Sequence, residues 1–151
     1  MPAERRYVLE DAEATEALGA ALAEASRPGC VIYLQGELGA GKTTLARGFL
    51  RGLGHEGRVK SPTYSLLEPY DTPAGRVIHL DLYRLADPDE AAWLGIEDHA
   101  ADQARLLVEW PEHGADWLPP PDLVVRLAHD GERRRVTLFS VGERGPAPPP
   151  A

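Results

Sequence analysis

Residues 31–44 read VIYLQGELGAGKTT. An apolar run from Cys30 to Gln35 leads into Gly36-x-x-x-x-Gly41-Lys42-Thr43, the spacing of a P-loop between a strand and a helix. A loop that turns its N–H groups inward around a diphosphate needs positive φ angles and close backbone approach, which glycine alone tolerates without strain. Gly36, Gly39 and Gly41 supply that freedom. Lys42 is then a point charge for the β- and γ-phosphates, Thr43 offers a hydroxyl to Mg²⁺, and the next helix turns its N-terminal dipole toward the anion. That helix is expected over Thr43 to Leu53, with Leu45, Phe49 and Leu53 at helical spacing and Gly54 as its stop. The run Glu37, Leu38, Gly39, Ala40, Gly41, Lys42, Thr43 and Thr44 is therefore the expected binding set for ATP. A buried parallel strand followed by such a helix predicts an α/β, three-layer P-loop NTPase-like fold with a mixed central sheet flanked by helices.

A chain of 151 residues suits one domain. Residues 1–142 are assigned to it, and the Pro-rich tail 143–151 is expected to be disordered or extended. With 16 basic and 24 acidic residues the net charge is −8, which disfavours unaided binding to nucleic acid. The single cysteine, Cys30, rules out an internal disulfide and fits a reducing, cytoplasmic setting. The N-terminal MPAERR lacks the apolar core of a signal peptide, and no apolar run approaches membrane-spanning length. The five histidines lack the spacing of a zinc site.

Before the glycine loop, Arg6 to Glu10 reads as a strand, and Asp11 is an N-cap for a helix through Leu18, Leu22 and Ala25 that Pro28-Gly29 stops. Asp11, Ala12 and Thr15 are candidates for contacts with the adenine or ribose; capping and packing are the alternative. Beyond the loop, Thr63 follows Pro62 on a stiffened connection, where its hydroxyl either senses the γ-phosphate or belongs to an ordinary Ser-Pro turn. Strands over Ser65 to Tyr70 and Arg76 to Leu80 form a hairpin about Asp71 to Gly75, and the second of them ends in Asp81. A helix is expected from Asp87-Pro88 to Gly95, with Trp93 as a core or interface anchor.

Arg105 to Glu109 is a second apolar strand running into an acid, the Walker B arrangement. Glu109 is the preferred Mg²⁺ ligand beside Thr43, because its more uniformly apolar strand suits a central position. Asp81 is the candidate for orienting the attacking water or holding the outer metal shell. Past Pro119-Pro-Pro121, strands over Asp122 to Leu127 and Arg134 to Ser140 form a terminal hairpin about His129-Asp-Gly131.

Taken together, GELGAGKTT (36–44), KSPTY (60–64), HLDLYR (79–84), LGI (94–96) and VEWP (108–111) closely resemble the bacterial TsaE family, over about Asp11 to Pro121. The resemblance implies a small P-loop ATPase that acts with the TsaB and TsaD proteins in threonylcarbamoylation of adenosine 37 of tRNA, touching tRNA only through the complex. It implies Thr43 and Glu109 as Mg²⁺ ligands, with Thr63 and Asp81 as the switch threonine and the strand-end acid. Trp110 follows the acid, as either a packed aromatic or a contact to nucleotide or partner. A GTPase would need a guanine-reading Asn-Lys-x-Asp segment and an ABC ATPase a Gly-rich signature helix, and the sequence has neither. A small-molecule kinase uses the same loop and metal and is the competing reading, although no Arg-rich lid segment is recognisable.

Overall fold

The strand VIYLQ alternates between two buried faces because apolar side chains project to both sides of it, the pattern of a strand covered above and below. In a computed structural model, which describes residues 3–59, 66–141 and 145–149, this strand lies in the middle of a seven-stranded mixed sheet. In chain order the strands are β1 (Ala3–Leu9), β2 (Val31–Gln35), β3 (Leu67–Thr72), β4 (Gly75–Asp81), β5 (Arg105–Glu109), β6 (Leu123–Asp130) and β7 (Arg133–Ser140). Their spatial order is β1-β7-β6-β2-β5-β4-β3. β2 pairs in parallel with both β5 and β6, and β4 runs parallel to β5. The β3/β4 and β6/β7 hairpins and the β1/β7 pair are antiparallel. The expected hairpins are both present, and the strand carrying Glu109 is the neighbour of the P-loop strand.

Two helices, α1 (Ala12–Ala25) and α2 (Lys42–Gly52), cover one face of the sheet. Asp11 caps α1, its Oδ1 accepting the Ala14 N–H at 2.8 Å. Leu18 and Leu22 of α1 and Leu45 and Phe49 of α2 pack with Ile32, Leu34, Leu107 and Val125 beneath them. The other face is closed by shorter pieces, a 3₁₀ segment Pro88–Leu94 and α3 (Ile96–Ala101). These contribute Ala91 and Ile96 to a second core with Ile78, Leu80, Leu106 and Val108. The layers are therefore helix, sheet and short helices, as expected of the fold class.

Of the two roles expected of Trp93, core or interface anchor, the structure removes the first. Trp93 lies on the 3₁₀ segment with 89% of its surface exposed, so it is no core anchor. The 3.0-residue turn places Ala91 inward and leaves Trp93 on the outer side. The tail residues 145–149 form no helix or strand, yet Pro146 is buried and the Tyr7 hydroxyl donates to the Pro149 carbonyl. Thr63 lies outside the described residues. Among the described residues no helix is long and apolar enough to cross a membrane.

Candidate functional site

The site forms where β2 stops and α2 starts. Gly36, Gly39 and Gly41 adopt φ of 146°, 76° and 108°, and a Cβ at Gly36 would stand 2.4 Å from the Leu127 carbonyl oxygen, so only glycine fits. The Ala40 N–H donates to the Glu37 carbonyl at 3.1 Å, which closes the loop and buries Ala40. α2 begins without a side-chain cap. Its first N–H groups are thus left for an anion at the positive end of the helix dipole.

Lys42 opens α2 and is buried, and its ammonium donates to the carbonyls of Gly36 and Glu37. It also lies 4.5 Å from the centroid of the Trp110 ring. Burial lowers the Lys42 pKa, while Glu109, Asp81 and Glu112 pull it back up. An ammonium desolvated in this way interacts strongly with any anion brought into the loop.

Two carboxylates arrive from adjacent strand ends. Asp81 of β4 and Glu109 of β5 are cross-strand partners in register. Glu109 is buried, and the Thr43 hydroxyl lies 3.1 Å from its Oε2 and 3.3 Å from its Oε1. His79 Nε2 lies 2.6 Å from the same Oε2. Asp81 Oδ1 accepts the Tyr83 N–H at 3.1 Å. Burial raises the Asp81 pKa, the Tyr83 hydrogen bond opposes this, and the Glu109 charge adds to the rise. A hydroxyl and two carboxylates gathered at a phosphate-loop mouth are hard oxygen donors of the kind Mg²⁺ takes, so the residues present fit that ion.

A cavity of about 560 Å³ lies over the arrangement. Leu38, Gly39 and Gly41 line it from the loop, Lys42, Thr43 and Thr44 from α2, and Asp81, Glu109 and Trp110 from the strand ends. Asp11 and Ala12 border a smaller adjoining cavity of about 110 Å³ that shares Gly39, Gly41 and Thr44 with the first. Glu37 faces a separate recess together with Trp110. The structure thus gathers the sequence-derived candidates about one loop, except Thr63, which lies outside the described residues.

Sequence reasoning missed His79, Tyr83 and Arg84. Tyr83 and Arg84 line the large cavity because the chain turns back over its mouth directly after Asp81. His79 had a readable signal, since a residue two positions before Asp81 on a strand shares its face. Trp110 holds φ of 56°, an uncommon value for a bulky residue. Its ring packs against Tyr83 and His113 at centroid distances of 4.9 and 5.5 Å.

The family model for "TsaE: Threonylcarbamoyl adenosine biosynthesis protein TsaE" matches residues 9–137. A Haemophilus influenzae protein named tRNA threonylcarbamoyladenosine biosynthesis protein TsaE is 46% identical over 110 residues, 73% of this chain and 70% of the relative. The Bacillus subtilis protein of the same name is 38% identical over 134 residues, 87% of this chain and 83% of the relative. The crystal structure of Bacillus subtilis YdiB is similar with a TM-score of 0.82 at 30% identity, covering 96% of this chain and 90% of that one.

Proposed function

Because the chain belongs to the TsaE family of threonylcarbamoyl adenosine biosynthesis proteins, we propose that it is an ATP-binding and ATP-hydrolysing component of that process. In this reading it binds ATP with Mg²⁺ and supports formation of the threonylcarbamoyl group on adenosine 37 of tRNA as a nucleotide-controlled partner of TsaB and TsaD. The observation that carries the reading is the convergence of Lys42, Thr43, Asp81 and Glu109 on one cavity at the capless start of α2.

The roles follow from the chemistry of each group. The loop N–H groups and the Lys42 ammonium hold the phosphate oxygens and offset their charge. Thr43 and Glu109 hold Mg²⁺, which when bound neutralises charge developing on the phosphates. Asp81, with its raised pKa and its place beside Glu109, orients the attacking water. Trp110 covers Lys42 and excludes solvent from it. Asp11 and Ala12, which line the adjoining cavity, would contact the adenine or ribose. A switch role for Thr63 belongs to the same reading, its hydroxyl distinguishing ATP from ADP.

ATP turnover measured for the protein alone, and again with TsaB, TsaD and tRNA, tests the proposal. Phosphate release that rises with the partners supports it. Transfer of the γ-phosphate to a small molecule would replace it with a kinase. No binding of ATP by the folded protein would end it.

A further inference from the structure

We propose that His79 is a positioning residue for Glu109, fixing which carboxylate oxygen that side chain presents to Mg²⁺. The inference rests on the metal site of the proposed function and deepens it.

His79 has no exposed surface, and its Nε2 stands 2.6 Å from Glu109 Oε2. An ionised carboxylate only accepts, so Nε2 carries the hydrogen. The bond is charge-assisted and therefore among the stronger ones a side chain makes. It occupies Oε2, which also has the nearer contact to Thr43, while among the described residues Oε1 has only the 3.3 Å contact to the Thr43 hydroxyl. Oε1 is the oxygen with coordination capacity to spare, and His79 prevents the two oxygens from exchanging by rotation of the carboxylate.

Packing alone does not account for an imidazole at this position. Its other nitrogen, Nδ1, is buried with no hydrogen-bond partner among the described residues. An apolar ring would fill the same space without leaving a polar atom unpaired, which carries a cost in free energy. The bond to Glu109 is what an apolar ring could not supply. The strand geometry makes the placement possible, because β4 puts His79 and Asp81 on one face and β5 brings Glu109 alongside in register. Histidines that act behind a ligating group in this way orient it and raise its affinity for the ion.

The test compares wild type with His79→Gln, which keeps an N–H donor, and His79→Phe, which fills the space without one. ADP binding is titrated in chelator and at graded Mg²⁺, with melting temperature recorded to confirm folding. His79→Phe is expected to raise the Mg²⁺ concentration needed for half-effect by about tenfold or more, with ADP affinity in chelator kept and His79→Gln lying closer to wild type. A folded His79→Phe with the wild-type Mg²⁺ curve, or equal shifts in both variants, overturns the inference. A wild type that binds ADP equally with and without Mg²⁺ overturns the metal reading beneath it, which separates the two failures. A measurement on wild type stands even if neither variant folds. Adding Mg²⁺ to the ADP complex must shift the His79 Nε2–H resonance, and no shift overturns the proposal.

Discussion

Gly48→Ala should destabilise the protein even though it exchanges glycine for the best helix former. Gly48 is buried in the middle of α2, where it faces the backbone of α1. A Cβ built there would lie 2.1 Å from the Glu16 carbonyl oxygen and 2.6 Å from the Glu16 Cα. Gly19 makes the reciprocal approach from α1, its Cβ position lying 2.2 Å from the Leu45 carbonyl oxygen. Both obstacles are backbone and cannot rotate away, so the helices must part by roughly 1 Å to restore ordinary contact. Such overpacking costs at the upper end of about 1–3 kcal/mol, and alanine returns about 1 kcal/mol through helix propensity. The net loss is about 2 kcal/mol, or roughly 4–8 °C in melting temperature for a chain of this size. Urea unfolding followed by circular dichroism measures it. Gly131→Ala is the control: none of the described residues lies within 4 Å of its Cβ position and its φ is 62°, so only the left-handed backbone cost of about 1–2 kcal/mol applies. A Gly48→Ala protein as stable as wild type, or more so, would refute the claim that the two helices meet backbone to backbone.

Three further outcomes are expected. Asp81→Asn should raise the stability of the nucleotide-free protein at neutral pH. The folded pKa of this acid is raised by burial, so its ionised form costs stability above that pKa and the cost disappears as pH falls through it; the advantage of the variant should therefore shrink in acid, as melting temperatures across pH would show. Trp93→Ser should alter unfolding free energy by less than about 0.5 kcal/mol, because the ring is 89% exposed; a larger loss in urea unfolding would mean that Trp93 packs in the folded state. Thr43→Ala and Glu109→Ala should each weaken the Mg²⁺ dependence of ATP hydrolysis more than nucleotide binding in chelator, and wild-type Mg²⁺ titrations for both would move the metal to Asp81.

The glycine loop, its flanking strand and helix, the Asp11 cap and both hairpins were legible in the sequence, because each is encoded within a few residues. Loop geometry depends on where glycines fall, and strand and helix leave their own hydrophobic periods. Walker-type acids at the ends of β4 and β5 could be nominated on the same grounds. Which elements meet was decided by the tertiary structure. β1 pairs with β7 at the far end of the chain, and β6 joins the other side of β2, through backbone hydrogen bonds that no local pattern specifies. Whether Trp93 would be a core or an interface residue was not legible, because its burial depends on the phase of a 3₁₀ turn against a core built by other segments. The role of His79 was not legible in its own stretch, since its partner Glu109 lies 30 positions away and meets it only when β4 and β5 pair in register. A side chain's chemistry is set by its own atoms, but the charge beside it and the water taken from it exist only once distant strands have come together.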